Sequence, residues 1–237
     1  MARAGKWTRI FWGGYDLTVE TSAIDPGGIM ADEVEASGFT QDHGYVLAQK
    51  DAAITLDGYF ETDSTAALNS PSNTEHLTVA YGNNALPAVG DITQSIRGAQ
   101  STYSAGSAKD GLQTVNATLK PAQGINTPAE FGVLLADATI SANGNQASVD
   151  NGASSANGGV GYLHITALSA GDTITVLIED SPDNAIWSTL ITFTLDGSAL
   201  AAERLTVGGT VDRYVRASYT VTGTAISFPI AAAFIRS

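Results

Sequence analysis

Three carboxylates, Asp51, Asp57 and Glu61, fall on one side of a strictly alternating stretch, with Ala52, Ile54, Leu56, Gly58 and Phe60 on the other. A period of two defines a strand with one buried and one wet face. No base shares the wet face with the acids. Carboxylates that meet across strands are what glycoside hydrolysis needs, but no aromatic platform accompanies this one. The three histidines, His43, His76 and His164, lie far apart, and none has the i, i+4 spacing of a zinc-binding helix. His76 and His164 sit in β-prone runs, where a half-buried, hydrogen-bonded imidazole is expected. His43 reads as a contact residue. There is no Gly-x-Ser-x-Gly elbow for a serine nucleophile. With no cysteine in the chain, disulfides, thiolate metal sites and thiol nucleophiles are excluded. The oxygens of Asp180-Ser-Pro-Asp-Asn184 would suit calcium, yet between two strands this composition reads as a turn. Gly158-Gly-Val-Gly161 lacks the lysine, spacing and following helix of a phosphate loop. These residue types predict no catalytic residue, no cofactor and no metal ligand.

The elements around the acids follow from the same periodicity. Burying Ile54, Leu56 and Phe60 contributes roughly 1.5–3 kcal/mol each, enough to fix the register of their strand. Upstream, Ala31 to Ser37 alternates too, with Glu33 and Glu35 on one side. From Gly38 to Gln49 the alternation is lost, which predicts a long excursion carrying Phe39, Asp42, His43 and Tyr45; a connection of this length is more often functional than idle. Asp63 to Leu68 reads as a short helix with Asp63 as its N-cap. Strands are expected at Thr8–Trp12, Tyr15–Val19 and His76–Tyr81, and again at Ile92–Tyr103 and Leu112–Leu119, these two joined as a hairpin or as a pair of bent strands. Gln123–Pro128 reads as an inter-domain link. The Gly/Asn/Ser-rich tract from Ser141 to Gly161 reads as exposed loops on a sheet. Beyond it, strands at Gly161–Thr166, Thr173–Glu179, Trp187–Leu195, Arg204–Val207, Val211–Val221 and Ala225–Ile235 have the spacing of a sandwich or barrel. Trp187 is expected in the core, and Arg213 and Arg216 on opposite faces in separate ion pairs.

At 237 residues the chain fits one large or two small domains. Acids outnumber bases 24 to 11, for a net charge of −13. Such a surface repels polyanions, so tight binding to DNA or an acidic membrane is not expected. Passage of DNA past an acidic wall stays open. No signal peptide and no bilayer-spanning run are visible, which, with the absence of cysteine, fits synthesis in a reducing cytoplasm.

Glu33-Val-Glu-Ala-Ser-Gly-Phe39, the excursion, the strand ending Thr55-Leu-Asp-Gly-Tyr-Phe-Glu61 and the helix after it together resemble the tail tube (major tail) proteins of long-tailed bacteriophages. Gly158-Gly-Val-Gly-Tyr-Leu-His-Ile165, Val176-Leu-Ile-Glu-Asp-Ser-Pro-Asp183 with Trp187, and Arg213-Tyr-Val-Arg216 look like the C-terminal half of such proteins. The resemblance implies a mainly β fold: a tail-tube-type β-barrel or sandwich with one short α-helix over residues 1–128, and a C-terminal β-sandwich over 129–237. It also implies a non-enzymatic virion protein, assembled in the host cytoplasm, whose rings stack around a tape measure protein and meet terminator and baseplate or distal tail proteins. Genomic DNA would pass through without tight binding, and no membrane is entered. On this reading Glu33, Glu35, Asp51, Asp57 and Glu61 face the lumen. Phe39, Asp42, His43 and Tyr45 reach a neighbouring subunit or ring.

Two alternatives stay open. Thr55-Leu-Asp-Gly58 with His76-Leu-Thr-Val79 recurs as Thr194-Leu-Asp-Gly197 with Arg204-Leu-Thr-Val207. This would mark a duplicated tube-like domain forming trimeric rather than hexameric rings, the second half otherwise being a decoration. The Ser-Pro-Asp, Trp187 and Arg-Tyr-Val-Arg segment is also similar to sugar-binding β-sandwich modules. That gives the competing function of a carbohydrate- or surface-binding module.

Overall fold

In the computed structural model the chain is described over residues 5–25, 29–35, 45–68, 74–107, 109–122, 129–169 and 171–237, with backbone alone for 29–35 and 45–50. The strands are β1 (Thr8–Trp12), β2 (Tyr15–Asp16), β3 (Thr21–Asp25), β4 (Ile29–Glu35), β5 (Tyr45–Ala52), β6 (Ile54–Tyr59), β7 (Thr74–Tyr81), β8 (Ile92–Ser107), β9 (Gln113–Pro121) and β10 (Glu130–Ile140). They continue as β11 (Gly144–Asn145), β12 (Val149–Asp150), β13 (Gly159–Ile165), β14 (Thr173–Ser181), β15 (Ser188–Thr192), β16 (Ala201–Val207), β17 (Tyr214–Thr222) and β18 (Phe228–Arg236). The α-helix among the described residues is α1 (Thr62–Leu68). The fold is mainly β, as the sequence predicts. Among the described residues no helix is long and apolar enough to cross a membrane.

Two compact units emerge, and they are interleaved along the chain: residues 1–20, 75–95 and 130–237 form the first, 21–74 and 96–129 the second. Residues 130–237 therefore lie wholly in the first unit, and residues 1–128 contribute to both.

The first unit is built on an antiparallel sheet with the order β16-β13-β18-β10-β8-β7-β1-β2. The sheet curls strongly. His164 of β13 lies against Phe11 of β1, ring centroids 5.8 Å apart. At the β1–β2 turn, a Cβ on Gly14 would fall 2.3 Å from the backbone nitrogen of Ala201 on the opposite edge strand. Among the described residues no ladder closes this curl into a barrel. The outer face of β10, β13 and β18 packs on a second antiparallel sheet, β15-β14-β17 with β11 and β12 along the far side of β17. Leu163, Ile165, Phe228, Ile230, Ala232 and Phe234 interdigitate there with Ile174, Val176, Ile178, Val215 and Ala217. This is a sandwich core.

In the strand β18 every residue from Ile230 to Ile235 is buried. Its even positions face the sandwich, while Ala233 and Ile235 turn inside the curl against Val160 and Tyr162. Covered on both sides, such a strand needs no polar face.

In the second unit the order is β3-β6-β9-β8, with β4 and β5 as a separate two-stranded ribbon. Of the two arrangements open for Ile92 to Leu119, the antiparallel hairpin is present, as β8 and β9. The helix is Thr62–Leu68, so Asp63 lies inside its first turn and is not the expected N-cap. Glu61 is its cap, since the Thr65 amide donates to the Glu61 carbonyl at 3.0 Å. Ser64 Oγ at the third helical position accepts from the Glu61 amide at 3.0 Å, the back-bond of a capping box. The two Thr-Leu-Asp-Gly segments differ in structure: residues 55–58 lie within β6, while residues 194–197 lie in the connection from β15 to β16, and Ala199–Glu203 is not helical.

Candidate functional site

The alternation from Asp51 to Glu61 largely survives. Ala52, Ile54 and Leu56 are buried, and Asp51, Asp57 and Glu61 are exposed. Two features differ from the expectation. The run breaks at Ala53 into β5 and β6, and Phe60 is 38% exposed rather than buried. Phe60 follows the last residue of β6, so the pleat no longer dictates its side. The expected excursion is also shorter. Tyr45 to Gln49 belong to β5, paired with β4 through Tyr45↔Glu35 and Leu47↔Glu33. Tyr-Val-Leu-Ala is β-prone without alternating, so only its partner strand reveals it as a strand. Glu33 and Glu35 lie in β4, their side chains outside the description. Phe39, Asp42 and His43 lie outside the described residues, as does Gln123–Pro128.

The exposed face of β6 is shared with β9. Asp57 stands opposite Asn116, and Thr55 opposite Thr118. Asn116 Nδ2 donates to Asp57 Oδ1 at 2.6 Å, and Thr55 and Thr118 exchange a hydroxyl contact of 3.3 Å. A shallow depression of about 350 Å3 on this unit is bordered by Ser22, Asp57, Ser104, Thr114 and Asn116. A base does reach the acids, which the strand by itself could not show: Lys120 Nζ of β9 lies 3.7 Å from Asp51, both side chains about half exposed. An exposed pair of this kind contributes about 0–1 kcal/mol. The face remains acidic, polar and open.

A second polar cluster fills the curl of the first unit. Arg204 grips Glu130 through Nη2–Oε1 at 2.6 Å and Nε–Oε2 at 3.1 Å. The Tyr162 hydroxyl donates to the same carboxylate. Burial, then the neighbouring Glu130 charge, pushes the Tyr162 phenol well above its ordinary range. Beside it, His164 Nε2 meets Thr78 Oγ1 at 2.9 Å, and Thr78 Oγ1 meets Ser95 Oγ at 3.1 Å. An imidazole beside a hydroxyl can activate a nucleophile only where substrate reaches it and the base can take a proton. His164, Thr78 and Ser95 are all buried. Burial, then His76, drives the His164 pKa down to about 3, and no carboxylate holds its Nδ1. This cluster is structural, as the position of His164 in a strand suggests.

The second sheet carries the remaining motifs. Arg213 pairs bidentately with Asp150 at 2.6 and 2.7 Å, lowering that carboxyl to about 2. Arg216 pairs with Glu179 at 2.8 Å. The two arginines thus serve separate ion pairs, as expected. Trp187 is half-buried rather than in the core, with the Arg216 guanidinium 3.9 Å above its ring. Asp183 caps the expected turn, its Oδ1 accepting from the amides of Ala185 and Ile186 at 2.9 Å each. Among the described residues no group of three or more His, Asp or Glu could hold a metal ion.

No family model matches the chain, and no curated protein matches it. Among solved structures it is similar to a sheath/tube terminator of the PVC extracellular contractile injection system, at 12% identity and a TM-score of 0.44 over 55% of this chain and 96% of that one. It is similar to the tube-terminating cap of the anti-feeding prophage, at 11% identity and a TM-score of 0.43 over 56% of this chain and 92% of that one. The Dit hub protein of phage SPP1 is similar at 10% identity and a TM-score of 0.34, over 97% of this chain and 99% of that one.

Proposed function

We propose that the protein is a structural component of a phage tail, a self-assembling subunit whose copies close into rings that stack as a conduit for DNA. The observation that carries the reading is the sheet of the second unit. Asp57 on its open face, Asp51 on the β4–β5 ribbon and Glu61 just before α1 stand in solvent, and β3 and the distal part of β8 have no further strand beside them among the described residues. Open edges invite further strands, and a closed ring of copies removes them. An acidic wall keeps phosphates from sticking while DNA passes. In this role Glu33 and Glu35 extend the acidic face, and the segment through Phe39, Asp42, His43 and Tyr45 reaches a neighbour. Residues 129–237 either decorate the tube or contribute a second tube-like layer, giving rings of six or three copies. Its partners are then other copies of itself, a tape measure protein, and terminator and distal tail proteins, in a virion tail.

Negative-stain microscopy and mass photometry of the purified chain test this. Stacked rings support a tube subunit, and isolated rings support a terminator, cap or hub position. A strict monomer at every concentration, with other tail proteins present, refutes it. Trp187 sustains a second reading, since a partly exposed indole is what a sugar-binding module needs. Arg216 already occupies one ring face, and unchanged indole fluorescence across an oligosaccharide panel would end that reading.

A further inference from the structure

The first unit carries an apolar groove of about 400 Å3 between Ile92, Phe131, Val133 and Arg236. Val133 stands opposite Ile92 on one side and opposite Phe234 on the other, and Phe131 lies two residues along on the same face. Gly132 lets the strands close up, because a Cβ there would meet the Phe234 carbonyl at 2.3 Å. Phe131 is 56% and Ile92 47% exposed. Arg236 makes no ion pair among the described residues. Large apolar side chains side by side in solvent beside a spare cation form an incomplete surface.

The second unit carries its complement at the junction of β6 and α1. Tyr59 and Phe60 are 37% and 38% exposed, and Glu61 beside them is exposed and without an ion pair among the described residues. The corner is held in shape: the Phe60 amide donates to the Gln113 carbonyl at 3.0 Å, and Ser64 Oγ takes the Glu61 amide. This is the place where Phe60 leaves the buried side that its spacing assigns.

We propose that the Phe131–Arg236 groove of one copy receives the Tyr59-Phe60-Glu61 corner of a second copy. The aromatic pair covers Phe131 and Ile92, and the Glu61 carboxylate meets the Arg236 guanidinium. In a chain of net charge −13, copies repel in general, so an unpaired cation beside apolar surface is where attraction concentrates. Because the two patches differ, the contact is head-to-tail, the type that closes rings. The proposal rests on the ring-forming reading above and names the surfaces that would carry it.

The absence of cysteine makes a clean test possible. Full-length Phe131→Cys and Phe60→Cys proteins, each with one thiol, are mixed and oxidised with a mild disulfide catalyst. The expected result is a mixed disulfide dimer in clear excess over either self-dimer. As a second measurement, Arg236→Glu and Glu61→Arg should each weaken self-association by about tenfold, and the double variant should restore it, since like charges face each other only in the singles. If the wild-type chain assembles but neither the mixed disulfide nor charge-swap rescue is seen, the pairing is overturned while the ring reading stands. If the wild-type chain never assembles, both fall.

Discussion

Replacing His164 with Gln should flatten the acid dependence of stability in the first unit by about 2 kcal/mol between pH 7.5 and 5. His164 is fully buried, and its folded pKa is about 3, against about 6.5 for an unfolded imidazole. The folded pKa is depressed, so the unfolded chain binds the extra proton throughout the window between the two values. Stability is therefore full above about pH 6.5 and falls as pH drops toward 3. At pH 5 the unfolded imidazole is about 97% protonated and the folded one about 1%, a linkage loss of roughly 2 kcal/mol. Gln removes this titration and can still bond Thr78. The assay is urea unfolding at both pH values, followed by tryptophan fluorescence. Trp7, Trp12 and Trp187 all lie in the first unit, so the signal reports the unit that holds His164. The measured quantity is a double difference, which cancels any constant destabilisation by the substitution and the titration of groups that both proteins share. If wild type and variant lose the same stability between pH 7.5 and 5, the imidazole is not held neutral, and the account of the buried cluster is wrong.

Glu130→Ala should cost about 3 kcal/mol or more, because it strands Arg204 and the Tyr162 hydroxyl in a buried setting; denaturant midpoints check this. Gly159→Ala places a Cβ 2.4 Å from the Phe234 ring and 2.7 Å from the Ile235 carbonyl. It should cost about 1–3 kcal/mol by overpacking, seen as a lower unfolding midpoint. The Asp51→Lys, Asp57→Lys double variant changes exposed side chains only and leaves Glu61 to its proposed contact, so circular dichroism and melting should stay near wild type. On the proposed tube reading, DNA ejection from particles carrying it should slow, and normal ejection would place these residues away from the lumen.

The periodic strands were legible because burial imposes its rhythm on neighbouring residues. Thr173–Glu179, for example, reads directly as the strand Thr173–Ser181. What was illegible depends on distant partners. His164 meets Thr78 across 86 residues of chain, and Lys120 reaches Asp51 from another strand. Neither closeness leaves a local trace. The β18 strand is an unbroken apolar run from Phe228 to Ile235, and the run alone does not say what covers each side; small alanines let both faces pack. Trp187 looked like core because tryptophan usually is, yet Arg216 stacks on it and supplies the cover a core would give. At the acidic face, spacing identified the exposed carboxylates, while the turn at Phe60 needed the helix cap to be seen.

The interleaving of the two units sets an order of birth. As the chain leaves the ribosome, every strand of the second unit has emerged by Pro121, and that unit can fold while synthesis continues. The first unit cannot. Its β1 and β7 have been made, but the partners that complete their sheet and core, from β10 to β18, come last. Phe11, Trp12, Leu77 and Val79, all buried in the finished fold, must wait unsheltered through more than a hundred further residues, since residues 130–237 belong to the same unit. Vectorial synthesis thus leaves a sticky half-sheet in a chain whose other unit has already folded, the kind of intermediate that recruits chaperones. The first unit should become protease-resistant only after strand β18 has been released.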